Sequence, residues 1–64
     1  MNNKIKVKRA ELNLTQGELS RKTGISRTSL VSIEKGTQNP SVQTAKKISD
    51  ALESSIEEIF LNNV

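Results

Sequence analysis

Apolar side chains recur along this chain in short helical sets separated by polar breaks, and nowhere do they show the strict alternation of a half-buried strand. Ile5 and Leu12 bracket Arg9 at i, i+4 and i+7, which predicts a first helix from about Lys4 to Leu12 with an arginine set between its apolar residues. Asn13-Leu14 breaks that pattern. Thr15-Gln16-Gly17-Glu18 then has the form of a capping box, in which the threonine and the glutamate each satisfy an orphan amide, so a second helix starts at Gln16. Leu19 and Thr23 lie four apart on its inward face, Ser20 is small enough to let another helix approach closely, and Gly24 can take the left-handed conformation that ends a helix. Gly17 is a poor interior residue and weakens this helix by up to about 1 kcal/mol unless a partner must approach closely.

Ser26 is the N-cap of a third helix whose Leu30 and Ile33 turn inward before Lys35-Gly36 stops it. Two short amphipathic helices joined by a tight turn at Gly24 have the spacing of a helix-turn-helix over residues 16–35, with Gln16, Arg27, Thr28 and Ser32 left facing outward. Thr37-Gln38-Asn39-Pro40 is a polar loop, and Pro40-Ser41 opens a fourth helix with Val42, Ala45, Ile48, Ala51 and Leu52 at core spacing. Ser55-Ile56-Glu57-Glu58 is a second capping box that starts a short fifth helix carrying Ile56, Ile59 and Phe60. The pattern holds five helices, with no strand, repeat or linker.

Length and composition narrow the function classes. Sixty-four residues, a third of them apolar, are expected to make one small domain with just enough core for a helical fold without staples. The chain has no cysteine and no histidine, which removes disulfides, thiolate metal sites, imidazole bases and cysteine nucleophiles. No cofactor or metal is expected, and no enzyme. The longest apolar run, Ile59-Phe60-Leu61, is far too short to cross a bilayer, and no hydrophobic signal region follows the basic N-terminus, so the expectation is a soluble cytoplasmic protein with no membrane partner. The net charge of +3 is unevenly spread: residues 1–49 carry ten basic and three acidic side chains, residues 50–64 four acids and no base. A basic body suits a polyanion, although a merely polarised solvated surface fits the charge equally well.

The runs LTQGELS, KTGIS, SLVSIEKG, NPS and SIEEIF together resemble the Cro and phage-repressor (XRE-like) type of helix-turn-helix over nearly the whole chain. This resemblance implies an all-α, compact five-helix, lambda-repressor-like DNA-binding domain spanning residues 1–64, bacterial or phage-encoded. Helix 2 would lie across the DNA backbone and helix 3 would enter the major groove. Arg27, Thr28 and Ser32 are then the base readers, through a guanidinium fork for guanine and hydroxyls for either base, with Val31 offering an apolar contact to a thymine methyl. Gln16, at the positive end of helix 2, is expected to clamp a phosphate, as are Lys35, Thr37, Gln38 and Asn39 in and before the loop after helix 3, with Ser29 and Lys22 as weaker candidates. Lys4, Lys6 and Lys8 approach the backbone only in a less favoured reading, and Lys46 and Lys47 read as ordinary solvated lysines.

Arg9 and Glu34 are charged residues among apolar neighbours, and in similar proteins an arginine of helix 1 pairs with a glutamate at the end of helix 3. The expectation is a partly buried ion pair, set against direct phosphate binding by Arg9. Related domains often dimerise through helix 5 to span two half-sites, which makes Phe60, Leu61 and Val64 the expected contacts of a homodimer. Two positions depart from the family's habit, with Lys8 where an apolar residue is common and Ser20 where alanine is. The expected function is a sequence-specific regulator of transcription, a repressor binding an inverted repeat in double-stranded DNA. The alternative is a protein-interaction module of the antitoxin kind, with a protein partner and DNA binding secondary or absent.

Overall fold

Helix boundaries follow from local capping chemistry. A computed structural model describes residues 3–61, Leu61 by its backbone alone. It contains α1 (Ile5–Glu11), α2 (Gln16–Thr23), α3 (Arg27–Lys35), α4 (Val42–Ala51) and a closing π-helical turn (Glu57–Leu61), with no strand among the described residues. The Thr15 side chain accepts from the Glu18 amide at 3.0 Å, and the Glu18 carboxylate accepts from the Thr15 amide at 2.9 Å. Ser26 and Ser41 cap α3 and α4 in the same way through the amides of Ser29 and Thr44. The second box, Ser55 with Glu58, opens the closing turn. Gly24 and Gly36 end α2 and α3 at φ of 73° and 82°, a region that side chains disfavour by about 1 kcal/mol or more.

The core is one cluster to which every helix contributes: Ile5, Leu19, Leu30, Ile33, Ala45, Ile48, Leu52, Ile59 and Phe60 are buried. Helix α2 packs on both α3 and α4, so the orientation of α3 is set against the centre of the molecule. Asn3 ties the first helix down, donating from its side-chain amide to the Ile33 carbonyl at 2.7 Å and accepting from the Ile5 amide. The Lys4 amide donates to the Ile59 carbonyl at 2.9 Å and joins the start of α1 to the closing turn.

Two expectations are corrected here. Val42 is 79% exposed and is no part of the core. It is the first residue of α4, and since Cα–Cβ bonds tilt toward a helix N-terminus, its side chain points off the open end into solvent. Phe60 is only 4% exposed and fills the core, so its side chain has little surface left for a partner. Its ring, the one aromatic of the sequence, adds a large apolar area to a small core. The Leu61 side chain and Val64 lie outside the described residues. Ser49 takes the inward place beside Ile48, 1% exposed, with its hydroxyl lacking a hydrogen-bond partner among the described residues.

Candidate nucleic-acid interface

At 100° per residue, Leu30 and Ile33 face the core while Thr28, Val31, Ser32 and Lys35 fall within an arc of about 100° on the opposite side of α3, with Arg27 flanking Val31. Arg27, Thr28 and Lys35 are exposed, and Val31 and Ser32 are half-buried. The stripe therefore offers a guanidinium fork, two hydroxyls and an apolar surface, which are the groups that distinguish base edges in a major groove. Arg27 occupies the first turn of α3, where no acidic residue is present and its charge opposes the helix dipole. An anionic partner would relieve that local cost.

The start of α2 is organised differently. Its capping box uses the Thr15 and Glu18 amides, which leaves those of Gln16 and Gly17 as donors at the open end. The bond from the Thr15 amide, and then the Thr15 hydroxyl, hold the Glu18 carboxyl below its ordinary range. A β-carbon at Gly17 would meet nothing nearer than the Thr15 hydroxyl oxygen at 3.9 Å, so no internal contact demands glycine there.

After α3 the chain folds back on the helix end. The Ser32 carbonyl accepts from the Thr37 amide at 3.1 Å, the Thr37 hydroxyl at 3.1 Å and the Gln38 amide at 3.3 Å. This pins the Thr37 side chain and the backbone of Thr37 and Gln38 to Ser32 of the stripe, with the side chains of Thr37, Gln38 and Asn39 exposed beside it. Ser29 is half-buried, and its hydroxyl bonds the Ser26 cap at 3.0 Å. Lys22 is brought to α4, where it lines an open depression with Thr23, Lys47, Asp50 and Ala51, rather than to the start of α2.

Arg9 and Glu34 form a two-pronged pair, Nε to Oε2 at 3.1 Å and Nη2 to Oε1 at 3.0 Å, with side chains 14% and 8% exposed. The remaining guanidinium nitrogen, Nη1, donates to the Leu14 carbonyl at 3.0 Å. Three of the five N–H donors of Arg9 are thus committed to α3 and the α1–α2 connection, on a side chain that is 14% exposed. Lys8 instead pairs on the surface with Glu11 at 3.5 Å, and Lys46 with Asp50 at 3.2 Å.

Several contributors escape a reading of the sequence. Asn3 is an N-cap type of residue just ahead of the first helix, a signal that was available. The Thr37 hydroxyl bonds the Ser32 carbonyl five positions back, and the hydroxyls of Ser20 and Thr23 bond the backbone of Ile25 five and two positions on, spacings that leave no periodic trace.

A family model described as helix-turn-helix matches residues 5–59. An uncharacterized HTH-type transcriptional regulator of Methanocaldococcus jannaschii is 46% identical over 61 residues, 95% of this chain and 92% of that protein. A similarly described regulator of Archaeoglobus fulgidus is 43% identical, covering 95% and 86%. YgzD of Bacillus subtilis, described in the same terms, is 37% identical over 60 residues, covering 94% and 91%. With α2, the Gly24 turn and α3 at its centre and the match running nearly end to end, the chain belongs to the helix-turn-helix family of DNA-binding transcriptional regulators, which are not enzymes.

Proposed function

We propose that this protein is a cytoplasmic repressor that binds an inverted-repeat operator in double-stranded DNA as a homodimer. The observation that carries the reading is the exposed stripe of α3. Thr28, Val31 and Ser32 lie on the side opposite the buried Leu30 and Ile33, and Arg27, against the dipole of its own helix, flanks them beside Val31. Arg27, Thr28 and Ser32 read base edges, and Val31 meets a thymine methyl. Gln16 with the free amides at the start of α2, and Lys35 with the pinned loop of Thr37, Gln38 and Asn39, hold phosphates and set register without carrying sequence information. Lys22 and Ser29 have lesser parts, Lys22 because it borders α4 and Ser29 because its hydroxyl serves the Ser26 cap. With Phe60 in the core, a dimer contact at this end rests on Leu61 and Val64.

Selection of random duplex DNA by the purified protein, followed by affinity for the enriched and a scrambled sequence across a salt series, tests this. An enriched inverted repeat with half-site centres about 34 Å apart is expected. Arg27→Ala should then lose about 1–3 kcal/mol on that repeat and relax one base pair, whereas Gln16→Ala weakens all sequences alike. Salt-sensitive binding with no enriched sequence would refute it and favour a role in binding another protein.

A further inference from the structure

The backbone of Ile25, in the turn between α2 and α3, is gripped by two side chains of α2. Its carbonyl accepts from the Ser20 hydroxyl at 2.6 Å, and its amide donates to the Thr23 hydroxyl oxygen at 3.2 Å. Thr23 is buried and donates its own proton to the Leu19 carbonyl at 2.8 Å, which aims a lone pair at the Ile25 amide. The adjacent Gly24 amide closes on the Ser20 carbonyl at 2.8 Å. Forming the turn does not by itself require these hydroxyls. Gly24 supplies the left-handed bend, Ser26 caps α3, and the Ile25 side chain packs on the core. What the two hydroxyls add is direction, because they fix the residue just before the cap of α3 to a helix at the centre of the fold.

We infer that Ser20 and Thr23 are positioning residues for sequence reading: they set the pitch of α3 on α2, and through it the placement of Arg27, Thr28 and Ser32, without touching DNA. This rests on the DNA-reading role of α3 proposed above. At a rise of 1.5 Å per residue, Ser32 lies about 10 Å from the pivot at Ile25, so a swing of roughly 10° moves it by about 2 Å. That exceeds the whole span of useful hydrogen-bond lengths. Phosphate attraction falls off gradually with distance and is blind to sequence. Loss of the clamp therefore shows as lost discrimination more than lost general affinity.

The test compares Ser20→Ala, Thr23→Val and Thr23→Ser with the unaltered protein. Each binds the duplex that the unaltered protein enriches from random DNA, and a scrambled duplex, well below its melting midpoint and with folding checked by circular dichroism. Ser20→Ala and Thr23→Val should each lower the ratio of enriched to scrambled affinity by about tenfold, the worth of roughly one base contact, and leave scrambled affinity within about twofold. Thr23→Ser keeps the hydroxyl and should keep the ratio. If Thr23→Val does not fold, Ser20→Ala and Thr23→Ser decide the matter. An unchanged ratio in folded Ser20→Ala overturns the inference and leaves the hydroxyls to the fold alone, as does a Thr23→Ser ratio that drops tenfold. Failure of the underlying reading is a separate result: the unaltered protein enriches no sequence, and the inference falls with it.

Discussion

Breaking the Arg9–Glu34 pair should nearly unfold the protein. The pair is two-pronged at 3.0–3.1 Å and its side chains are 14% and 8% exposed, so removing one partner leaves the other charge with little water to return to. Such a loss costs about 3–5 kcal/mol. A domain of this size has a total stability of about 3–10 kcal/mol, at the low end when no disulfide or metal helps. Glu34→Ala should be the harsher single change, since an arginine cannot shed its charge whereas a stranded carboxylate can neutralise itself by taking up a proton. Arg9→Met with Glu34→Leu should recover most of the loss, because apolar replacement of a buried pair is often neutral; what stays lost is the bond from Arg9 to the Leu14 carbonyl, about 1 kcal/mol. Urea unfolding followed by circular dichroism, arranged as a double-mutant cycle, measures the coupling. Where a single variant is already unfolded, a sucrose series brings its transition into range. Single losses below about 1 kcal/mol that simply add would place the pair with ordinary surface ion pairs and refute the reasoning.

Gly17→Ala should raise stability by about 0.5–1 kcal/mol, since the position has no positive φ and a β-carbon meets only Thr15 at 3.9 Å. A thermal melt checks this, and a lowered midpoint would mean that the start of α2 needs glycine internally. Ser49→Ala should be neutral or stabilising by up to about 1 kcal/mol, because it deletes a buried hydroxyl that has no partner among the described residues; a loss above 1 kcal/mol in urea would show the hydroxyl to be satisfied. Glu18 and Glu58 have carboxyls held below the ordinary 4.5, each first by a bond from the amide of its capping residue. Depressed folded values mean that their contribution is present above pH 4.5 and is lost as pH falls through those lower values. Melting midpoints should thus fall with pH below about 4.5, and Glu18→Gln, which can still accept from Thr15, should flatten that fall at little cost at pH 7.

The elements most legible in the sequence are those fixed by contacts three or four residues apart. Thr15 with Glu18, Ser26 with Ser29 and Ser55 with Glu58 are local bonds, and Gly24 and Gly36 are needed by local dihedral angles, so the helix ends follow from the residues at them. Periodicity likewise gave Leu19, Leu30, Ile33, Ala45 and Ile48 as inward. It failed at Val42 because a wheel projection has no axial coordinate. The same angle that buries a residue in mid-helix exposes it in the first turn, where no neighbouring element covers it. Phe60 is ambiguous for the opposite reason: an apolar residue near a chain end fits a partner or the core equally well in one dimension, and the closure of α1 onto the final turn buries it in the core.

The candidate site divides along the same line. Arg27, Thr28, Val31 and Ser32 form a stripe because helix geometry alone brings them together once α3 is recognised. What holds the stripe in place lies outside the helical repeat. The Thr37 hydroxyl reaches back five residues to Ser32, the Ser20 hydroxyl reaches forward five to Ile25, and Arg9 spans 25 positions to Glu34. Each of these side chains could instead face solvent, and Arg9 becomes a strut only after α1 and α3 have docked. A sequence therefore shows which groups can read a base sooner than it shows what holds them at reading distance. On the proposed reading of α3, the hydroxyls of Ser20 and Thr23 are where its aim can be changed while Arg27, Thr28 and Ser32 are left untouched.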